Sequence, residues 1–562
     1  MNHESRIYMD IKTNILRIML VIIFLLAFVL RVYKISEYPA GLNADEAAIG
    51  YNAYSLLQTG KDEFGHSWPS TFQSFNDYKP GLYFYFVLPF VKILGLNELS
   101  VRLPSVILGT ITVFLVYLLV KELGFSRISE RIYTDLFPVV SAFLLAISPW
   151  HLHFSRGGWE SNASIFFIIF GVFAFFKSLS RNWWTFPSVL SLILAMYTYH
   201  SARVIVPLLV VGLLILYFKK IFKQIKTKFL LMSVVLSVLF VIPLGISLLN
   251  KDTSSRFSGV GLFADQGPIS RVNEQRGQHP DPYSIAPKIL HNKIFEYFIL
   301  FLNNYAKHFN GNYLFIFGDE IQRNKIPQTG QMYLIEILLI PLGLFFLVSK
   351  KPKNWQLPIW WLLVSPVASA LTFQSPHAIR SLNMVVPMTI IVGYGIYNLL
   401  LIFKKVPKVR LILIVFLTTT YSYLVVSYLH QYYVHYPRQY PAAWEYGFKE
   451  LARYVSEKES NFDKIYVTDK YDQPYILLAF YLKYPPKEFQ KEAKLTPRDQ
   501  YGFSTVEHFG KYYFGKIDQK ILENGNKSMI IGSPEEIQES GKIVKRIYFL
   551  DGKAEAFRII YE

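Results

Sequence analysis

The sequence contains no cysteine among its 562 residues. Disulfide frameworks and thiolate metal sites are therefore excluded. Neither a phosphate-binding P-loop nor a dinucleotide glycine fingerprint occurs in a strand-then-helix context, so the sequence shows no recognisable route to ATP or nucleotide sugars. Acidic residues are also few, with 40 against 58 lysines and arginines, which gives a formal charge of +18 at pH 7.

Apolar residues are abundant and define the class of protein. Hydrophobic residues make up 52% and aromatic residues 17% of the chain, and the mean hydropathy is +0.26. Such a composition predicts a polytopic, all-α membrane protein. About eleven predicted membrane-spanning segments are Ile15–Leu30, Leu103–Val120, Leu136–Ile147, Ile165–Phe176, Phe186–Met196 with its flanks, Val204–Phe218, Phe229–Leu249, Leu334–Val348, Leu357–Phe373, Met384–Phe403 and Leu411–Leu429.

The positions of lysine and arginine predict the orientation. With a cytoplasmic N-terminus and eleven spans, four basic loops lie inside, and these are Lys121–Arg131, Lys219–Lys228, Lys350–Lys353 and Lys404–Arg410. Counting the apolar Leu82–Leu94 as a span would reverse them, so we predict a surface helix there. Basic inner loops facing anionic lipid account for much of the charge, and no nucleic-acid partner is needed. We expect a multi-pass plasma-membrane protein.

This topology predicts two domains, residues 1–430 in the membrane and residues 431–562 outside it. The large outer loops are residues 32–101 and 250–331. The C-terminal region has the pattern of a small α/β domain. Its predicted elements are a helix near Ala442–Ser456, strands at Lys464–Thr468 and Ser528–Gly532, and a hairpin around Asp551-Gly552. We expect a binding or stabilising role for it, because its charges are dispersed.

An acid pair, Asp45-Glu46, follows the first span. Asn43 is a good N-cap, and Glu46 stands three residues on, which is the spacing of a capping box. Asp45 would then lie in the first helical turn, where the helix dipole favours the ionised carboxylate that a general base needs. The alternative is that both acids only cap the helix.

Cations and aromatic residues recur at the predicted outer surface, against the positive-inside trend. Each cation taken singly is explained by snorkelling to lipid headgroups, whereas together they fit an anionic ligand such as a lipid phosphate. The segments are Tyr78-Lys79-Pro80, Glu98–Ser105 with Arg102, Trp150–Glu160 with Arg156, Tyr197–Arg203 with His200, and Ser375–Arg380 with His377. The histidines lack a helical ligand spacing, so no metal site is predicted.

These segments resemble a known family, the protein O-mannosyltransferase and aminoarabinose-transferase group of GT-C membrane glycosyltransferases (glycosyltransferase family 39-like). The resemblance rests on the Asp-Glu pair, on Lys-Pro-Gly-Leu-Tyr from Lys79, on Val-Arg-Leu-Pro-Ser around Arg102, and on Ser155-Arg156 followed by Glu160. It covers residues 15–210 well and 310–387 more loosely. Gly81 replaces a second proline of the family pattern, and Glu160 stands where aspartate is common.

The resemblance implies transfer of a sugar from a polyprenyl phosphate to an acceptor hydroxyl, with inversion. Asp45 would be the catalytic base, and Glu46 would orient the acceptor or the loop. The remaining implied roles are donor-phosphate binding by Lys79, Arg102, Arg156, Arg203 and Arg380, and substrate binding by Tyr78, Glu160, His200 and His377. No cofactor is required. Metal dependence stays open, because Asp45 and Glu46 could ligate a divalent ion, although phosphate-binding cations would make one dispensable.

The acceptor stays open at this stage. Protein hydroxyls are expected, and a lipid or cell-wall glycan is the alternative. A polyprenyl-lipid transporter would also have many helices, but its spans should contain buried charges. The predicted spans here contain few charges, and Glu336 is the main exception. A glycan-binding receptor would not need eleven helices as an anchor.

Overall fold

A computed structural model describes residues 3–75, 77–125, 131–249, 259–498, 504–523 and 527–562. The chain divides into two compact units. Unit 1 comprises Met1–Ala27, Thr110–Leu152 and Ser164–Val425. Unit 2 comprises Phe28–Gly109, His153–Ala163 and Val426–Glu562. The first predicted outer loop therefore belongs to the same unit as the C-terminal region.

Helices account for most of the described chain. In chain order they are α1 (His3–Val32), α2 (Ala44–Thr59), α3 (Leu82–Leu94), α4 (Glu98–Leu123), α5 (Arg131–Ile147), α6 (Pro149–Phe154), α7 (Glu160–Ser178), α8 (Thr185–Thr198), α9 (Ala202–Gln224), α10 (Thr227–Leu249), α11 (Gly267–Gly277), α12 (Ile285–Leu290), α13 (Lys293–Lys307), α14 (Glu336–Lys350), α15 (Gln356–Val364), α16 (Val367–Ala370), α17 (Val385–Ile402), α18 (Pro407–His430), α19 (Tyr436–Gln439), α20 (Phe448–Lys458), α21 (Pro474–Tyr481), α22 (Pro486–Glu492) and α23 (Gln519–Leu522).

All eleven predicted spans are helical, which confirms the helical membrane fold. Within the described residues, seven helices are long and apolar enough to cross a bilayer, namely Asn14–Val32, Glu98–Leu123, Glu160–Ser178, Ala202–Gln224, Thr227–Ile246, Leu382–Lys405 and Pro407–Gln439. The other four predicted spans form the shorter helices α5, α8, α14 and α15. An apolar run in the sequence does not show where its helix ends, and α15 ends just before Pro366.

Close helix packing forms the core of unit 1. Helix α17 is largely buried and packs against α5 and α14. A Cβ atom added to Gly343 would lie only 2.1 Å from the carbonyl oxygen of Ile391. The glycine therefore lets α14 approach the backbone of α17, as small residues do between membrane helices.

A seven-stranded mixed sheet forms the C-terminal part of unit 2. The strands of the chain are β1 (Thr71–Ser74), β2 (Asp77–Pro80), β3 (Lys464–Val467), β4 (Lys494–Leu495), β5 (Val506–Phe509), β6 (Tyr512–Phe514), β7 (Ser528–Gly532), β8 (Ile543–Tyr548) and β9 (Glu555–Tyr561). The order in the sheet is β4-β5-β6-β3-β7-β9-β8. Strand β3 is parallel to β6 and β7, and the other pairs are antiparallel. The predicted α/β character is confirmed.

Helix α2 belongs to the same hydrophobic core as this sheet and is buried over most of its length. A Cβ atom on its Gly50 would lie 2.5 Å from the ring of Phe480 in α21 and 2.7 Å from Val101 in α4. The helix that follows the acid pair is thus fixed by packing on two sides.

Three local features of the structure differ from what the sequence predicts. The helix near Ala442–Ser456 begins only at Phe448, because Glu445 and Gly447 take left-handed conformations with φ of +46° and +108°. The short β1–β2 hairpin was not predicted. Helix α11, in the predicted outer loop 250–331, was not predicted either, and residues 250–258 of that loop lie outside the described residues.

Candidate active site

The capping box at the start of α2 is present as predicted. The side chain of Asn43 accepts a hydrogen bond from the backbone N–H of Glu46 at 3.0 Å, and the carboxylate of Glu46 accepts one from the N–H of Asn43 at 3.4 Å. Both interactions satisfy N–H groups that a helix start leaves without partners. They place Asp45 in the first turn, beside the buried Glu46.

Glu46 forms a buried ion pair with Arg102 of α4. The Nε and Nη2 atoms of Arg102 donate to the two carboxylate oxygens at 2.8 and 2.9 Å, and both residues have no solvent exposure. The backbone N–H of Gly158 donates to Glu46 Oε1 at 2.7 Å. Glu46 is thus held by Asn43, Arg102 and Gly158, which fits its predicted role in orienting the loop.

Arg102 also binds the segment that precedes α2. Its Nη1 donates to the carbonyl oxygens of Ile35 and Pro39, both at 3.0 Å, and its Nη2 donates to that of Gly41. Together with Glu46, these acceptors occupy all five N–H groups of the guanidinium. In this structure Arg102 thus binds the protein itself, and its role as a donor-phosphate ligand stays a prediction from the sequence.

Arg156 has a similar position. Its two Nη atoms donate to the carbonyl oxygens of Leu30, Arg31, Tyr33 and Tyr38 at 2.7 to 3.2 Å. The guanidinium also lies 5.0 Å from the ring centre of Tyr432 and 5.3 Å from that of Tyr433. Buried among carbonyls and rings, Arg156 fixes the chain at the end of α1, while its Nε has no hydrogen-bond partner in the structure. Its role as a phosphate ligand stays a prediction from the sequence.

Asp45 has a different partner and a different environment. Its Oδ1 accepts a hydrogen bond from Nζ of Lys79. Lys79 lies on β2, where it pairs with Phe72 of β1, and its Nζ lies 4.9 Å from the ring centre of Phe75. The side chain of Asp45 is 30% exposed and that of Lys79 is 9% exposed. The pair is thus open to an approaching ligand on the aspartate side.

Two further predicted residues lie in unit 2. Tyr78 precedes Lys79 on β2 and is half-buried, opposite Gln73. Glu160 is the first residue of α7 and is nearly buried, two residues after the Gly158 that binds Glu46. Together with the residues above, unit 2 contains seven of the eleven predicted site residues.

The other four predicted residues lie in unit 1. Nδ1 of His377 is 3.9 Å from the Oδ2 atom of Asp319. Burial raises the pKa of Asp319, which also accepts a hydrogen bond from the N–H of Ala378 at 2.6 Å. Arg380 Nη1 donates to Thr372 Oγ1 at 2.7 Å. Asp319 is thus an anchor for the segment that contains His377 and Arg380.

His200 and Arg203 form a second part of this group. The N–H of Arg203 donates to the carbonyl of His200 at 3.0 Å, and its Nε lies 3.4 Å from the carbonyl of Met196. They flank the turn between α8 and α9. Nothing in the geometry of unit 1 tests their predicted roles with the substrate.

Sequence reasoning missed one buried acid in unit 2. Glu63 has no solvent exposure, and its Oε1 accepts a hydrogen bond from Asn52 Nδ2 at 3.1 Å. Its Oε2 has no hydrogen-bond partner in the structure. Burial raises the pKa of Glu63 to about 8, while Lys79 nearby lowers it. In the sequence, Asp62-Glu63 has the pattern of surface acids in a loop, so no signal pointed to it.

Within the described residues, no group of three or more histidine, aspartate or glutamate side chains could hold a metal ion.

Comparisons with known proteins agree with this fold. Residues 21–254 match the family described as dolichyl-phosphate-mannose-protein mannosyltransferase. The fold resembles that of ArnT from Cupriavidus metallidurans bound to undecaprenyl phosphate, at 11% identity and a TM-score of 0.54, over 98% of each chain. The oligosaccharyltransferase of Archaeoglobus fulgidus matches at 12% identity over 82% of this chain and 61% of that one, and its TM-score of 0.48 supports no inference. A search of curated proteins finds no match.

The fold is that of the GT-C membrane glycosyltransferases. Within it, residues 21–254 resemble the dolichyl-phosphate-mannose-protein mannosyltransferase family. The resemblance seen in the sequence is thereby confirmed.

Proposed function

We propose that the protein transfers a hexose-type sugar from a polyprenyl-phosphate donor to an acceptor hydroxyl at the outer face of the plasma membrane, with inversion. The observation that carries the proposal is the contrast within the acid pair. Asp45 is partly exposed and paired with a lysine, whereas Glu46 is sequestered by Arg102. The family match and the undecaprenyl phosphate bound to ArnT support the choice of donor.

The reaction is a single displacement. Asp45 accepts the proton of the acceptor hydroxyl as its oxygen forms a bond to the anomeric carbon. The bond between that carbon and the phosphate oxygen breaks, and polyprenyl phosphate leaves as an anion. Lys79 stabilises the charge that develops on the leaving phosphate. Because the lysine already lies beside the base, one ammonium group serves both the resting aspartate and the departing anion.

Arg102 and Arg156 act as positioning residues in this mechanism. Arg102 holds Glu46 and the chain before α2, and Arg156 holds the chain after α1. Tyr78 and Glu160 stay proposed substrate contacts near the pair. Arg203, Arg380, His200 and His377 stay predictions from the sequence.

We propose a protein hydroxyl as the acceptor, by analogy with the name of the matched family, and a lipid or cell-wall glycan as the alternative. The basic loops support a cytoplasmic N-terminus and an extracytoplasmic C-terminal region.

The test is sugar transfer from radiolabelled polyprenyl-phosphate hexoses by purified wild-type protein and by Asp45→Asn. The variant keeps the shape of the side chain and loses its charge, so we expect transfer to fall by about a hundredfold or more. Glu507→Gln, which removes an exposed acid on β5, should leave transfer unchanged. Equal transfer by wild type and Asp45→Asn would refute the assignment of the base.

A further inference from the structure

Unit 2 contains a large open cleft that the mechanism does not use. Its volume is about 860 Å³. It is lined by parts of the segments 36–41, 96–98, 445–456 and 480–483, and by Leu550. Asp45 and Lys79 are not among the lining residues, so this cleft is a separate site.

The charges on its walls nearly cancel. Four glutamates and three lysine or arginine side chains line it, together with three tyrosines. At one wall the side chain of Glu98 is only 8% exposed. Its carboxylate accepts hydrogen bonds from Nζ of Lys449 at 2.8 Å and from the hydroxyl of Tyr481 at 3.3 Å. A polyanion would meet the glutamates and a polycation the lysines, so a ligand without net charge fits this lining better than either.

The kinds of side chain indicate what such a ligand is. Carboxylates and a guanidinium offer paired acceptors and paired donors, which match neighbouring hydroxyl groups on a sugar ring. Tyrosine rings offer apolar faces with a polar end. Peptides, in contrast, are commonly captured by a strand edge or by an apolar groove between helices, and no described residue that lines the cleft lies in a strand.

The cleft wall and the catalytic helix share one anchor. Arg102 binds the carbonyls of Gly41, which lines the cleft, and of Pro39, which lies between lining residues. The same guanidinium binds Glu46, the neighbour of Asp45. Glu98 lies one helical turn before Arg102 on α4. A ligand in the cleft is therefore held against the backbone segment that leads directly into the proposed base.

We propose that this cleft binds an uncharged saccharide chain, which favours a glycan-bearing acceptor, the alternative named above, over an unmodified protein hydroxyl. This inference rests on the proposed transfer reaction for its biological meaning. The binding itself does not depend on the chemistry at Asp45.

The test uses the absence of cysteine. Ser456→Cys places one thiol in an exposed position of the cleft lining, and Ser540→Cys places one at an exposed position outside it. The probes are three linear uncharged pentasaccharides, mannopentaose, cellopentaose and maltopentaose. Each is used at about 10 mM, a concentration that detects weak binding. At least one should slow maleimide labelling of Ser456→Cys about threefold or more and leave Ser540→Cys unchanged.

A second variant separates binding from a fold defect. Tyr446→Ala removes one ring from the lining and should raise the half-protecting concentration about fivefold without changing labelling in the absence of sugar. Protection by a serine- and threonine-rich peptide but by none of the sugars would overturn the proposal in favour of a polypeptide. Protection by no probe would also overturn it.

The failure of this proposal is distinguishable from failure of the proposed reaction. The labelling is repeated in a protein that also contains Asp45→Asn. Sugar protection combined with wild-type transfer by Asp45→Asn would retain the cleft and refute the base. Lost transfer by Asp45→Asn without sugar protection would retain the base and refute the cleft.

Discussion

Asp45 pairs with Lys79 and the neighbouring Glu46 pairs with Arg102, yet the two ion pairs lie in different surroundings. The Glu46 pair has no exposure and is surrounded by backbone donors and acceptors. In the Asp45 pair, the aspartate accepts a hydrogen bond from Lys79, and solvent reaches its side chain. Adjacent acids in the sequence thus lie in a fully buried region and in a partly exposed one.

The difference shows how the site separates rigidity from chemistry. A buried arginine whose N–H groups all bind carbonyls and a carboxylate cannot change partners during a reaction, but it fixes the geometry around it. A lysine has three donors on a flexible stem and exchanges partners readily. We therefore expect changes at Arg102 to act on folding, and changes at Lys79 to act on turnover.

The largest effect is expected for Arg102→Ala. The substitution leaves Glu46 buried without its counter-ion and three carbonyl oxygens without a donor, so the free energy of unfolding should fall by about 3 to 5 kcal/mol. Thermal unfolding in detergent measures it, with Arg438→Ala, an exposed arginine of unit 2, as the control. If Arg102→Ala kept wild-type stability and bound the polyprenyl-phosphate sugar more weakly, the result would support Arg102 as a ligand of the donor phosphate.

A smaller effect is expected for Lys79→Gln, and it should appear in catalysis. Loss of the cation that we propose to stabilise the leaving phosphate should lower kcat/KM by about a hundredfold with little change in Tm. Lys92→Gln, an exposed lysine on α3, is the matched control. A fall in Tm with unchanged kcat/KM would make Lys79 a structural partner like Arg102.

The smallest effect, counted per pH unit, concerns Glu63, another carboxylate near Lys79. Folded Glu63 keeps its proton up to a pKa of about 8, whereas the unfolded chain releases it near 4.5. The folded state therefore binds more protons between these values, and rising pH should cost about 1.4 kcal/mol of stability per pH unit.

Glu63→Gln removes that dependence. The stability of the variant relative to wild type should rise from about pH 5 to pH 8 and level off above it, as measured by thermal unfolding. Glu488→Gln, an exposed acid on α22, should track the wild type. Parallel pH profiles for wild type and Glu63→Gln would show that Glu63 ionises normally.

Local patterns predicted the fold well. All eleven apolar runs are helical because burying or embedding a backbone requires its hydrogen bonds to be satisfied within the segment. The capping box at Asn43 and the hairpin at Asp551-Gly552 also form, and both depend only on neighbouring residues. Helix lengths were less predictable, since tertiary packing and proline decide where α15 ends.

The roles of the arginines could not be predicted in the same way. A sequence shows that Arg102 and Arg156 stand near a membrane surface, but their acceptors are backbone carbonyls, which every residue possesses. Lys79 and Asp45 are 34 residues apart, and the unpredicted β1–β2 hairpin brings them together. Glu63 was missed because its burial follows from tertiary contacts, such as those with Asn52 of α2, that its neighbours in the sequence do not reveal.

The position of Gly41 has a consequence for biosynthesis. Its φ is +102°, and a Cβ atom there would lie 2.1 Å from the carbonyl oxygen of Trp444, so the two backbone segments are in direct contact. Trp444 leaves the ribosome about 400 residues after Gly41, an interval of roughly 20 to 80 seconds at ordinary translation rates. The loop that contains Asp45 is thus synthesised early and completed late, and until then the nascent chain contains Asp45 and Lys79 without their finished surroundings.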